Sequence, residues 1–516
     1  MPTRSFLGGA IATPHYLATL AGIETLNDGG NAVDAMVAAN LALGVVAPYY
    51  CGYGGDLLAI VHDGTTHGYR SAGRSAAAAS IAQMHHDGID GMPIFGPHVV
   101  TVPGAVQGWF DLLERFGTRS FGALATRALQ LASEGFILTK PGAFRLAASM
   151  AVLQSMGMDT RPMRANYPHV AMGDCVTQPE LAATITALAS DGPDAYYRGP
   201  IGAAIVETLH SLGSRMQARD LADHKAAWEQ VLTAPFAGRT IVELPPPTQG
   251  VTALEMLRLA DGSHAAADTT QRIHDQIEIA KAALWDRDAY VGDPASMSRT
   301  VEQLLSDAWI ADRRRTLDPN RAQPIAPRPM PDGGTAYMCC ADRDGLAISL
   351  IQSNFTAMGS GVHVPRWGIN LHNRGASFNL DEGHVNALDG AKLPMHTLIP
   401  ALVMKDKTLE YVFGTMGGHA QAQIHLQVLT RLLHDGDDPA TAIAAPRFAV
   451  DPATAVVQVE SRLDSATVED LRCRGHVVNI VRDFDDAMGH CHTIRVTANG
   501  FEAAADPRAE SLALGC

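Results

Sequence analysis

A layered α/β sandwich is the fold class this sequence predicts, on three observations. Apolar residues recur at helical spacing over residues 15–46 and through most of 103–235. The period changes to strand alternation after residue 334, in TAYMCCAD and GLAISLIQS. One long helix pattern, HAQAQIHLQVLTRLLHDG, then returns among further strand patterns: GINLHN, TLIPALVMKD, TLEYVFG and AVVQVE. Helices, strands and helices in that succession are what stacked layers of sheet and helix produce.

Taken in order, HYLATLAGIETLNDGG predicts a first helix stopped at Asn27-Asp28-Gly29-Gly30. Asn31 then caps a second helix, NAVDAMVAANLALGVV, whose alanines allow close packing. The glycine loop CGYGG leads into a strand from Asp56 to His62, a tight turn at Asp63-Gly64 and a second strand. GAVQGWFDLLERFG and FGALATRALQLASEGF typify the helical stretch that follows. RTIVELPPPTQG reads as a strand stopped at Pro245–Pro247, and QRIHDQIEIAKAALWDRDAYV and residues 302–315 as helices. Residues 316–334 hold several prolines and no apolar period, so they are expected to form an exposed, mobile loop. The two strands beyond them pair around the turn Asp342-Arg343-Asp344-Gly345. No internal repeat is present.

Composition narrows the function classes. With 47% hydrophobic residues, 18% charged residues and 48 glycines, the 516-residue chain describes a compact protein rich in tight turns. A formal charge of −15 argues against general affinity for nucleic acid or an anionic membrane. LALGVVAPYY is too short to span a bilayer and is broken by proline, and the first residues lack an apolar core before a small-residue cleavage site. The seven cysteines are scattered without a C-x-x-C pair, which points to reduced thiols rather than a disulfide framework or zinc site. The expected location is the cytoplasm.

The chemistry concentrates at Thr335. It follows a proline-rich leader and the glycines Gly333 and Gly334, and it opens the strand hairpin. Cleavage of the Gly334–Thr335 bond would give Thr335 both a nucleophilic hydroxyl and a free α-amine as its base. In this reading Thr335 Oγ attacks the preceding carbonyl, an N→O acyl shift makes an ester, and water opens it. The oxyanion needs fixed donors, and Gly417-Gly418 at the start of the helix pattern 419–433 offers backbone N–H groups at a helix N-terminus.

Several longer segments carry a resemblance. DGGNAVDAMVAANLALGVVAPYYCGYGGD, VPGAVQGWFDLLERFG, ELPPPTQG, GTAYMCCADRDGLAISLIQSNF, GSGVHVPRWGINLHNRGASF, LPMHTLIPALV, FGTMGGHAQAQIHLQVL and APRF fall in the order of the γ-glutamyltransferases. These are N-terminal nucleophile hydrolases. The resemblance implies a four-layer αββα sandwich, a zymogen that cuts itself before a threonine, and no cofactor or metal. On this chain it implies a large subunit of residues 1–334 and a small subunit of 335–516, folded together as a heterodimer or a dimer of heterodimers. It implies Thr335 as nucleophile, Gly417 and Gly418 as oxyanion glycines, and Ser353 as the hydroxyl that supports the nucleophile.

The substrate pocket departs from the family. Where γ-glutamyl enzymes place an aspartate for the substrate α-amine, this chain has Ser377, in NRGASF. The family's paired serines become His396-Thr397, and Arg374, beside Asn373, replaces a glutamine. Arg74 falls about two residues from the expected carboxylate-binding arginine. An arginine without the aspartate favours a carboxylate-bearing acyl group over a zwitterionic glutamyl head. Structural ion pairing of Arg74 and Arg374, and core packing of Tyr337 in place of pocket lining, stay open. So does the reaction: a γ-glutamyltransferase-like amidohydrolase or acyltransferase leads. A cephalosporin-acylase-like amidase, a carbon–carbon bond hydrolase of natural-product biosynthesis and an inactive binding scaffold are the alternatives. His490 and His492 share a strand face but have no third ligand, so they do not make a metal site.

Overall fold

The computed structural model describes residues 2–262, 269–324 and 334–516. Two seven-stranded antiparallel sheets lie face to face between helical layers. One sheet runs Leu512–Gly515, Gly9–Thr13, Gly334–Asp342, Ala347–Phe355, Asp56–His62, Thr66–Ser71 and Ala227–Glu229. The other runs Arg4–Phe6, Gly500–Ala505, Cys491–Thr497, Thr408–Thr415, Pro400–Lys405, Arg239–Glu243 and Leu232–Phe236. Strands from both sides of residue 335 interleave in each sheet, so the two prospective subunits share their hydrogen-bond ladders.

Strand alternation sorts the core into its layers. In Gly334–Asp342, Tyr337 and Cys339 face the opposite sheet and pack with Leu58, Ile351, Leu402, Val412 and Ile494. Ala336, Met338 and Cys340 face the other way, against the helix Ala32–Val46 and its neighbours. All fifteen residues of that helix are buried, thirteen of them apolar or glycine, and the two polar ones, Asp34 and Asn40, are hydrogen-bonded. Asn31 caps it as expected: its Oδ1 accepts from Val33 N and Asp34 N, and Asp34 returns the bond to Asn31 N at 3.0 Å. Gly250–Ala260, Thr269–Tyr290 and Gln421–Thr430 cover the second sheet. The result is the four-layer αββα sandwich.

Two local expectations change. The helix expected over 419–433 begins with a tight 3-10 turn at Gly418–Ala420, is α-helical over Gln421–Thr430, and widens to a π turn at Arg431–Asp435. The 302–315 helix divides into Val301–Leu304 and Asp307–Thr316, because Ser306 caps the second piece through Trp309 N. The proline-rich stretch, irregular and largely exposed as expected, also makes contacts with distant residues where it is described. His274 holds Asp318 O at 2.9 Å, Arg474 Nη1 donates to Pro319 O at 2.7 Å, and Gln323 N donates to Glu278 Oε2 at 2.9 Å. Residues 325–333 of that loop lie outside the described residues.

Candidate active site

Thr335 lies at an irregularity in the hairpin. Gly334 pairs with Phe355 and Ala336 with Gln352, so the single residue Thr335 faces both Ser353 and Asn354. A bulge of this kind re-aims side chains. Phe355, just past it, is held at φ 73°, a left-handed conformation costly for an aromatic residue.

The bulge brings one hydroxyl against both Gly334 O and the Thr335 side chain. Ser353 Oγ donates to Gly334 O at 2.7 Å and accepts from Phe355 N at 2.8 Å. It also lies 3.2 Å from Thr335 Oγ1. A serine has one proton. With that proton on Gly334 O, the Thr335 hydroxyl must be the donor in the 3.2 Å contact. Ser353 therefore both polarises the carbonyl and orients the hydroxyl beside it. Thr335 and Ser353 are almost fully buried.

Gly417 and Gly418 end the neighbouring strand and lead into the 3-10 turn, at φ 142° and 53°. Side chains other than glycine rarely adopt such angles. Gly418 O accepts Gln249 Nε2 at 3.0 Å, and that amide also reaches Thr397 O at 2.8 Å, tying the turn to the residues opposite. Gly417 and Gly334 line one cavity of about 770 Å³, together with Tyr49, Tyr50, Arg145 and Met416.

On the other side of Ser353 is a sealed polar cluster. Asp56, opposite Ser353 in the sheet register, accepts from His396 Nε2 at 3.0 Å and lies 3.5 Å from His372 Nδ1 and 3.9 Å from Arg374 Nε. Arg374 is fully buried, donates to Thr397 Oγ1 at 3.2 Å, and sits 4.0 Å over the ring of Phe355. Its Nε and Nη2 make no hydrogen bond, and neither do Asp56 Oδ1, His396 Nδ1, Ser377 Oγ and Thr101 Oγ1. Six unsatisfied polar atoms in one buried place are unusual in a native core.

The electrostatics follow from burial and partners. Burial would raise the Asp56 carboxyl, but His372, His396 and Arg374 outweigh it and hold its pKa at about 2. Burial lowers Arg374 to about 10 against the pull of Asp56, leaving it charged at neutral pH. Burial and the Arg374 charge lower His396 to about 3, and burial also lowers His372, so both rings are neutral. The cluster therefore holds one carboxylate, one guanidinium and two neutral imidazoles.

The remaining expected residues fall in different places. Arg74 is half exposed, 3.2 Å from Asp293 and bonded to Ala391 O, so the geometry gives it a structural ion pair outside the cluster. Tyr337 is core: its hydroxyl meets Ser349 Oγ at 2.9 Å, and its ring fills the space that a Gly414 side chain would take. Asn373 bonds backbone at both ends of its amide, to Thr356 N and Ile94 O, and so positions the turn Arg374–Ser377. Asp56, Thr101, His372 and Gln249 were not singled out from the sequence. Only Asp56 left a signal there, as a carboxylate opening an otherwise apolar strand. His490 bonds Asp486, and His492 Nδ1 accepts from Asp506 N, so each imidazole is held by an aspartate of the same segment.

Comparison with known proteins matches this arrangement to a family. The model of the gamma-glutamyltranspeptidase family matches residues 18–516. The chain is 34% identical over 522 residues to the oxamate amidohydrolase proenzyme of Klebsiella pneumoniae, covering 98% of each. It is 33% identical over 521 residues to the glutathione hydrolase-like YwrD proenzyme of Bacillus subtilis, again covering 98% of each. Its structure is similar to that of cephalosporin acylase from Bacillus halodurans, with a TM-score of 0.95, 31% identity, and coverage of 100% of this chain and 97% of the other. With its sequence matched over nearly its whole length and its fold matched throughout, the chain belongs to the gamma-glutamyltranspeptidase family.

Proposed function

We propose that the chain is a zymogen that cuts itself between Gly334 and Thr335, and then hydrolyses amides of carboxylate-bearing acyl groups through an acyl-Thr335 ester. The observation that carries this is Ser353 Oγ bridging Gly334 O and Thr335 Oγ1, at 2.7 and 3.2 Å. In the first step Thr335 Oγ1 attacks the Gly334 carbonyl carbon while Ser353 stabilises the developing oxyanion. The C–N bond breaks, the hydroxyl proton passes to the Thr335 nitrogen, and water opens the ester. The freed α-amine then serves as base. It takes the Thr335 hydroxyl proton during attack on the substrate amide and returns it to the leaving amine. The turn at Gly417-Gly418 is suited to holding the oxyanion of that second reaction.

The acyl group is assigned to the cluster around Arg374. Its two unbonded nitrogens match a carboxylate, and its charge opposes a substrate ammonium. The names of the similar proteins, among them an oxamate amidohydrolase and a cephalosporin acylase, are consistent with a family in which the acyl group varies. The test is Thr335→Ala, with processing followed on denaturing gels and by intact mass. A persistent single chain with no turnover is expected, and fragments meeting at 334/335 in that variant would refute the nucleophile. Wild-type enzyme should favour a glutaryl over a γ-glutamyl anilide; the reverse preference would refute the carboxylate assignment.

A further inference from the structure

The cavity beside Gly334 is too large for the reaction as described so far. At about 770 Å³ it is a space for a small organic molecule, whereas a water or ammonia molecule occupies about 30 Å³. The Arg374 cluster, on the far side of Ser353, accounts for the acyl group. The cavity adjoins Gly334, so it is placed to take the other half of the amide.

Aromatic rings stand in its walls among charged residues such as Lys140, Arg482 and Asp485. Tyr49 and Tyr50 meet edge to face at 4.7 Å and form the side nearest Gly334. Phe484 lies on the wall from the C-terminal segment, at φ 50°, a conformation that an aromatic residue adopts only when its surroundings impose it. The guanidinium of Arg462 stacks 3.7 Å from its ring and Arg508 lies at 5.5 Å, which fixes the ring in place. Phe144, on the helix Lys140–Ser155, supplies a third aromatic face and is 66% exposed. Phe144 is thus the ring of this cavity most open to a ligand.

Taking the acyl-Thr335 mechanism as given, we propose that this cavity is the leaving-group subsite and that it selects amines built on a planar aromatic or heterocyclic ring. Phe144, Phe484 and Tyr50 supply the ring faces, and release of Gly334 on self-cleavage joins the cavity to the nucleophile. On the same wall Arg145 holds Asp486 through Nη2 at 2.8 Å, while its Nη1 makes no hydrogen bond among the described residues.

The test uses the self-cleaved enzyme and three amides sharing one glutaryl group: the primary amide, the glycine amide and the 2-naphthylamide. Intrinsic leaving-group reactivity cancels when each variant is compared with wild type on the same substrate. Phe144→Ala and Phe484→Leu should each lower the naphthylamide-to-primary-amide ratio of kcat/KM by about tenfold, mainly through KM, the scale of one lost apolar contact. They should also raise the inhibition constant of free 2-naphthylamine. Completed self-cleavage of the same samples reports that they are folded. Equal loss on all three amides, or a loss confined to the glycine amide, would overturn the aromatic assignment while leaving acyl-Thr335 chemistry intact. Failure of wild type to turn over any of the three would instead count against the proposed function.

Discussion

Replacing Ser353 by alanine removes one oxygen that serves three partners. The Gly334 carbonyl loses its 2.7 Å donor, Phe355 N loses its 2.8 Å acceptor, and Thr335 Oγ1 loses its 3.2 Å neighbour. Removing one donor from an oxyanion costs about 3–4 kcal/mol in the transition state, so self-cleavage should slow by about 100- to 1000-fold. Orphaning the buried Phe355 N–H costs about 1–3 kcal/mol of stability, a separate and smaller effect. The two are separable by timing conversion of the full chain to fragments 1–334 and 335–516 on denaturing gels, with thermal unfolding measured on the same samples. Ser353→Thr, which keeps the hydroxyl, should restore processing to within about tenfold of wild type. Processing of the alanine variant within twofold of wild type, at undiminished stability, would refute the assignment of Ser353 as the carbonyl's donor.

Arg374→Gln should lower kcat/KM for a glutaryl anilide by about 10- to 100-fold, the loss of one charge-assisted hydrogen bond, with far less effect on the γ-glutamyl compound; equal losses would place Arg374 in a purely structural role. His396 gives a pH signature. Its folded pKa of about 3 lies below the ordinary 6.5, so the stability it contributes is complete above about pH 6.5 and is lost as pH falls toward 3. In the uncleaved Thr335→Ala background, the stability gap between wild-type His396 and His396→Gln should shift against the histidine by about 2 kcal/mol between pH 7.5 and 5. A gap independent of pH over that range, by denaturant titration, would show that His396 is not buried neutral.

What could be read in advance follows sequence distance. Thr335 and Ser353 sit on adjacent strands of one hairpin, joined by the turn at Asp342–Gly345, so local pattern was enough to bring them together. The cap at Asn31 and the alanine-rich helix after it were legible for the same reason. The hydrogen bonds that hold the first part of the proline-rich stretch were not legible, because they come from side chains as distant as His274 and Arg474. Arg74 and Arg374 looked alike in the sequence. Asp293 claims the first at the surface, while the second is shut in with Asp56.

The sequence by itself therefore determined the layered fold and the neighbours of Thr335 along the chain. Each of these rests on residue spacing, which backbone periodicity converts directly into position. Only the tertiary structure decided which carboxylate faces Arg374, that Tyr337 is core, and that a large cavity adjoins Gly334. Those depend on contacts such as His396 with Asp56, 340 residues apart, which form only when the two sheets close on one another.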